Sequence, residues 1–344
     1  MRVKGVKSDL KITIYITIVI ILFMLAISLI MSNKITGNFE VFNVDRLSIN
    51  KSENYIVSGD KIARVYNTTT SSIEEIEVEE YIKGVVAAEM PANFEVEALK
   101  SQAVAARTYY YSKRLNKCKK ANGADICNCT HCQVYQSKDK ALSKWSKDSA
   151  EANWEKISNA VESTKDEILT YDGELVLYPQ FFATSWGKTE DSSAVFSESV
   201  PYLLSTESEG DEVAPKYSSE FDINLNTFVT TINNTYPNSG VTLENVKTTV
   251  KIISNNKSGS VNKIQLGNEE ITGREFRTLL NLNSPYFSLE FNNDSVNISC
   301  KGYGHGLGMS QWGANGMAKE GKNYKDILTH YYSGVEIKKV IIEN

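Results

Sequence analysis

Positive charge is in short supply in this sequence of 344 residues: 37 Lys and Arg stand against 42 Asp and Glu. Without residues 1–11, which carry four basic residues and Asp9, the remainder holds 33 basic and 41 acidic side chains, a net charge of −8. Nucleic-acid partners select basic faces, so this balance argues against them. No internal repeat is present, so the chain does not read as an array of small units. A nucleotide fingerprint is missing as well. The Gly302-x-Gly304-x-Gly306-x-Gly308 run is rich in glycine, but the strand–loop–helix context of a nucleotide site is not evident around it. Cysteine is scarce: there are five, four of them crowded between residues 118 and 132.

One long apolar run is present. Residues 12–31 carry no charge and follow Arg2, Lys4, Lys7 and Lys11. A run of about 20 residues is the length that spans a bilayer as a helix. The flanking cations place the N-terminus in the cytoplasm. A cleaved signal peptide is the alternative, but the run is long for one and no small-x-small site stands out after it. The reading is a cytoplasmic tail (residues 1–11), a single-pass anchor (12–31), a polar tether (32–54) and an exported region (55–344), built as one domain or two lobes.

Within that region the patterns alternate. Residues 55–65 have short β-like runs, and Ile73, Ile76 and Val78 suit a short strand. A helix is expected over residues 79–89, with Tyr81, Val85 and Ala88 on one face and Pro91 ending it. A second is expected over 95–115, with Val96, Leu99, Ala103, Ala106 and Tyr110 at helical spacing. Helices are expected again at 154–164, 225–231 and 272–280, the last after a Thr cap, and around Trp312 and residues 327–331. Strands are expected at 168–171, 174–182, 247–253 and 260–265. Residues 191–217 read as polar loop. The mixture is α+β.

Glu89 is the most informative residue. It closes an apolar helix, in Val85-Val86-Ala87-Ala88-Glu89-Met90-Pro91. The last carbonyls of a helix carry partial negative charge. Dipole and desolvation both raise the pKa of an acid there, which suits a general acid. The alternative is an ordinary exposed Glu in a last turn.

That block resembles the stage II sporulation protein D family, as does Glu97-Ala98-Leu99-Lys100-Ser101-Gln102-Ala103-Val104-Ala105-Ala106-Arg107-Thr108-Tyr109. So do Ser185-Trp186-Gly187-Lys188-Thr189-Glu190 and Gly302-Tyr303-Gly304-His305-Gly306-Leu307-Gly308-Met309-Ser310-Gln311-Trp312-Gly313-Ala314. The blocks cover the exported region in motif order, and the anchor fits. The resemblance implies a lytic transglycosylase that cuts the MurNAc–GlcNAc bond of peptidoglycan and leaves 1,6-anhydro-muramic ends, with Glu89 as its catalytic acid. One carboxylate suffices because the substrate's own C6 hydroxyl attacks, whereas ordinary glycoside hydrolases need two. Glu95, Glu97 and Asp125 are the candidates for a second acid in a hydrolytic muramidase. A glycan-binding scaffold without turnover, and a zinc amidase that cuts stem peptides, are the further alternatives.

The resemblance also makes Arg107 a substrate or orienting residue; on the residues alone it is a solvated helix charge. Gln102 and Tyr109 are candidates for substrate contact or for packing. Ser185, Lys188, Thr189 and His305 become cleft-wall residues, with Lys188 suited to a muramic carboxylate. Trp186 stands where the family commonly has Gly, and is read as narrowing the cleft or stacking on a sugar. Cys118, Cys127, Cys129 and Cys132 with His131 suit disulfides or a tetrahedral zinc site. The resemblance favours structural zinc on Cys127, His131 and Cys132, with Cys129 or Cys118 as fourth ligand. Cys300 reads as a buried apolar residue. The implied partners are stage II sporulation proteins P (an amidase) and M. The implied location is the mother-cell septal or engulfing membrane.

Overall fold

The computed structural model describes residues 54–196 and 199–343. The expected tail, anchor and all but the last residue of the tether lie outside the described residues. Among the described residues, no helix is long and apolar enough to cross a membrane.

The chain begins with β1 (Asn54–Ser58), β2 (Ile62–Asn67), β3 (Ser72–Glu77), α1 (Val78–Glu89), α2 (Val96–Leu115) and β4 (Ile126–Cys127). Then come α3 (Lys138–Lys144), α4 (Lys147–Ser163), β5 (Glu167–Tyr171), β6 (Glu174–Leu175) and β7 (Phe181–Phe182). A middle segment holds β8 (Ser218–Asn224), α5 (Leu225–Thr235), α6 (Val246–Thr249), β9 (Val250–Asn255), β10 (Val261–Leu266), β11 (Glu269–Thr272), α7 (Gly273–Leu280), β12 (Phe287–Phe291) and β13 (Ser295–Lys301). It closes with β14 (Met309–Ser310), α8 (Gln311–Lys319), α9 (Tyr324–Tyr331) and β15 (Glu336–Glu343). The fold is α+β, as expected.

Two separate hydrophobic cores explain the layout. The larger is built on α1 and α2. α1 starts where the Glu77 side chain accepts from the Glu80 backbone N–H at 3.1 Å, with Glu79 and Glu80 favourable at the positive end of the helix. It buries Tyr81, Ile82, Val85 and Val86. Each such side chain contributes about 1.5–3 kcal/mol on leaving water. α1 stops at Met90, whose backbone is extended (φ −116°, ψ 144°), the conformation that Pro91 imposes on its predecessor. α2 is lined with small residues. Ala98, Ala103, Ala105 and Ala106 are all buried, so α1, α4, α8 and α9 pack closely around it. β15 closes this body by pairing parallel to β1 and antiparallel to β5. Sequence patterning ended at residue 332 and missed that strand.

The smaller core belongs to residues 218–301. Two three-stranded antiparallel sheets, β12-β13-β8 and β11-β10-β9, enclose Phe228, Ile264, Phe276 and Ile298 with α5 and α7. α7 begins with the expected cap: Thr272 and Glu275 form a reciprocal capping box. Cys300 is buried in this core. The expected strand 174–182 is broken into β6 and β7. Pro179, which offers no ladder donor, falls between them. The expected strand 247–253 opens with the helical turn α6, and the helix expected at 154–164 starts earlier, as α4.

The two cores meet at the Ser185–Glu190 block. The Trp186 indole N–H donates to the Ser258 carbonyl at 3.0 Å, and the Ser258 hydroxyl donates to Glu190 Oε2 at 3.0 Å. Ser260 donates to the same oxygen. Gly306 has φ +86°, and a Cβ there would collide with the Trp186 ring; at Gly308 (φ +72°) it would collide with the Gln180 carbonyl. These glycines let the 302–308 loop press against the body.

Candidate active site

Glu89 opens onto a cavity of about 450 Å³ whose wall includes Tyr109, Gln133, Phe181, Phe182, His305 and Gln311. Its two oxygens are held separately. Oε1 accepts from the Val134 backbone N–H at 2.9 Å, and Oε2 accepts from Gln311 Nε2 at 3.4 Å. Burial raises the carboxyl pKa above its usual value, opposed in part by these two hydrogen bonds. No cation lies within ion-pair distance of it among the described residues. The result is a fixed, half-buried acid that holds its proton to higher pH than a free Glu.

Gln311 is the first residue of α8 and also reaches Gln102, at 3.4 Å. It stands inside one of the blocks that carried the resemblance, yet its role was not legible: its contact with Glu89 spans 222 positions. The same holds for Val134, which touches Glu89 through a backbone group and so leaves no trace in side-chain chemistry.

His305 is a neutral wall residue. Its Nδ1 accepts from the Leu307 backbone N–H at 3.1 Å, and its ring packs on Phe182 at 5.6 Å. Burial, then the nearby charges of Arg274 and Arg277, push its pKa down to about 4. The structure therefore brings Glu89, Tyr109 and His305 together on the cavity wall, with Gln102 buried behind Gln311.

Four expected contact residues lie elsewhere. Arg107 is fully enclosed and does not reach the cavity. Its Nε and Nη2 donate to Glu79 at 2.9 and 2.6 Å, and Nη1 donates to the Glu167 carbonyl at 3.0 Å. This fork pins α1, α2 and β5 together inside the body, out of reach of a sugar. Lys188 pairs with Glu207 at 2.9 Å, outside the cavity. Thr189 is buried, exchanging hydrogen bonds with Thr206. Ser185 is buried too; its N–H donates to Asp211 Oδ1 at 2.8 Å. Burial raises the Asp211 carboxyl to about 6, and the Ser208 and Ser310 hydroxyls donate to it. Trp186 is also buried, at the junction of the cores rather than on the cavity. Ser185, Trp186 and Thr189 of this block are interior, and Lys188 stays at the surface in its pair with Glu207.

Beside the acid lies the Cys/His cluster. Cys118, Cys127, His131 and Cys132 place their ligand atoms within 4.8 Å of one another, a group that can hold a metal ion. The three sulfurs lie 3.3, 3.8 and 3.6 Å from His131 Nδ1, for Cys118, Cys127 and Cys132 respectively. Cys118 rather than Cys129 completes the set. Cys129 approaches Cys127 at 3.5 Å but stands outside the four, and all five cysteines are free thiols. His131 and Cys132 also line the cavity, and Val134, the donor to Glu89, follows two residues later. The cluster and the backbone donor to the acid thus sit on one loop.

Comparison with known proteins places the chain in a family. The family described as "Stage II sporulation protein" matches residues 66–171, which include Glu89, Gln102, Tyr109 and the Cys/His cluster. Stage II sporulation protein D of Bacillus amyloliquefaciens and that of Bacillus subtilis (strain 168) are each 38% identical over 277 residues, covering 80% of this chain and 78% of theirs. The amidase enhancer of Bacillus subtilis is 29% identical over 304 residues, covering 74% of this chain and 40% of its own. The chain belongs to the stage II sporulation protein D family.

Proposed function

We propose that this protein is a membrane-anchored lytic transglycosylase that cuts the MurNAc–GlcNAc bond of peptide-stripped peptidoglycan strands during engulfment in sporulation. One observation carries the reading. Glu89 is the only carboxylate among the described residues that line its cavity. The other acids that a hydrolase would recruit are committed or remote. Glu97 pairs with Lys100 and accepts from the Tyr324 N–H, and Asp125 pairs with Lys117 and accepts from Tyr110. Glu95 is exposed at the start of α2 and is not on the cavity wall.

The chemistry needs one carboxyl group. Protonated Glu89 gives its proton to the glycosidic oxygen as the bond to muramic C1 breaks. The C6 hydroxyl of the same sugar then bonds to C1 and yields its proton to the Glu89 carboxylate. The acid is regenerated, and no water enters. Gln311 and the Val134 N–H hold the two carboxylate oxygens, which keeps the proton-carrying oxygen aimed through both halves of the reaction. Tyr109, Phe181 and Phe182 make part of the cavity wall apolar.

The metal cluster is read as structural zinc. Tetrahedral zinc with Zn–S near 2.3 Å sets ligand atoms roughly 3.5–3.8 Å apart. The observed sulfur–nitrogen spacings of 3.3–3.8 Å fit that donor set. Its four protein ligands leave no open position, which separates this reading from a zinc amidase. The anchor at residues 12–31 would hold the enzyme in the mother-cell septal or engulfing membrane. Stage II sporulation protein P would strip stem peptides ahead of it, with protein M in the same assembly.

The test is mass spectrometry of products from the full chain and from Glu89→Gln, each incubated with peptide-free glycan strands. Anhydro-muramic ends that vanish in the variant support the reading. Reducing ends would make it a hydrolytic muramidase, and binding without cutting would make it a scaffold.

A further inference from the structure

A second and larger cavity, of about 770 Å³, lies where the two cores face each other. Ala194 and Val195 from the larger body form one side. Tyr236, Thr272, Arg274 and Arg277 from the smaller one form the other. Arg274 and Arg277 are three apart on α7, so their guanidinium groups share one face.

These two arginines differ from the others. Arg64, Arg107 and Arg114 each pair with a carboxylate. Arg274 and Arg277 have no carboxylate within ion-pair distance among the described residues. The acid whose charge Arg274 does feel, Glu190, is bound by Ser258 and Ser260. Glu275, on the same rim, is held in the capping box by the Thr272 N–H at 2.7 Å. Arg277 donates only its Nε, to the Leu282 carbonyl at 3.2 Å. Both side chains are half-buried, and burial holds both below the usual arginine range. A desolvated cation without a partner is costly, and the fold keeps two of them here.

The cavity shares no lining residue with the Glu89 site, but the charges of Arg274 and Arg277 are felt at His305, which lines the Glu89 cavity.

Resting on the glycan reading above, we propose that Arg274 and Arg277 form a carboxylate subsite that recognises the lactyl group of a muramic residue once its peptide is gone. A guanidinium fork matches a carboxylate in two parallel hydrogen bonds. While the stem peptide is attached, that carboxyl is a neutral amide carrying bulk, and neither its charge nor its shape fits. The subsite selects stripped strands by binding what stripping exposes. It consumes the product of an amidase-class reaction. It also takes over the role that sequence analysis gave Lys188, whose ammonium is paired with Glu207.

The experiment measures binding by the full chain carrying Glu89→Gln, so that turnover plays no part. The probes are peptide-free strands, the same strands with lactyl carboxyls converted to methylamides, and chitin oligosaccharides of equal length, which lack the lactyl group. Charge-assisted hydrogen bonds contribute about 1.5–3 kcal/mol, so amidation should weaken binding by about tenfold or more. Adding Arg274→Gln and Arg277→Gln should weaken binding of free-acid strands equally and leave the methylamides nearly unchanged. Arg274→Lys with Arg277→Lys should restore part of the preference, which a merely structural pair would not do. A preference that persists in the Gln variant overturns the subsite while leaving the glycan reading standing. Strands and chitin bound equally by the parent overturn it too. No binding of any glycan overturns both.

Discussion

The two ends of α1 each carry a glutamate, and they have opposite fates. Glu79 sits in the first turn, where the helix dipole favours a negative charge, and the buried Arg107 grips both its oxygens. Glu89 sits in the last turn, where the dipole opposes a negative charge, and it meets only neutral donors. One acid is an ion-paired tie in the core. The other has its pKa raised by burial and faces a cavity. The contrast shows that partner and position, not residue type, decide whether a carboxyl is tied into the fold or left open to a cavity.

The largest expected effect breaks the catalytic end. Glu89→Gln keeps the shape and removes the proton, so cutting should fall by about 10²–10⁴-fold with little change in the melting temperature. The structural end should fail in the opposite way. Glu79→Gln or Arg107→Ala leaves a buried charge unpaired, and loss of stability of about 3–5 kcal/mol is expected in urea titrations. If Arg107→Ala instead folds normally and loses only substrate affinity, the tie is not what holds the helices.

The pH profile sharpens the comparison. Because burial raises the Glu89 pKa, the acid form that starts the reaction is present below that pKa and lost above it. The rate per unit substrate should fall with one proton on the alkaline side, with an apparent pKa above that of a free Glu. The same shift sets a stability slope. The neutral form is favoured on folding, so this contribution is full below the unfolded pKa of about 4.3 and is lost as pH rises through the folded one. Denaturation of Glu89→Gln should lack that slope.

Metal removal should have an intermediate effect. Chelation, or Cys132→Ser, should lower the melting temperature and reduce cutting severalfold by loosening the loop that carries Val134, without abolishing it. Atomic emission on the purified chain checks occupancy. The smallest effect is expected at Lys188→Ala. An exposed ion pair contributes about 0–1 kcal/mol, so both stability and cutting should stay near the parent.

Much of the fold was legible because its signals are local. α1, α2 and α7 follow from apolar spacing, Pro91 and the Thr272 cap. β15 was not, because its meaning depends on β1, nearly the whole chain away. The site divides on the same line. Glu89 stood out by its place at the end of an apolar helix. Arg107, Lys188 and Thr189 were placed in the cleft by motif alone, and burial and pairing removed them from it.

What the sequence by itself determined is most of the helices and some of the strands, the α+β class, the family, and one acid at a helix end. Periodicity, capping and chain-breaking act within a few residues, so they can be read along the chain. Only the tertiary structure decided which charges are neutralised. Glu79 found Arg107 across 28 positions, Glu89 found Gln311 across 222, and Arg274 and Arg277 have no acid within ion-pair distance among the described residues. Electrostatic character depends on burial and on neighbours in space, and neither is a property of the residue alone.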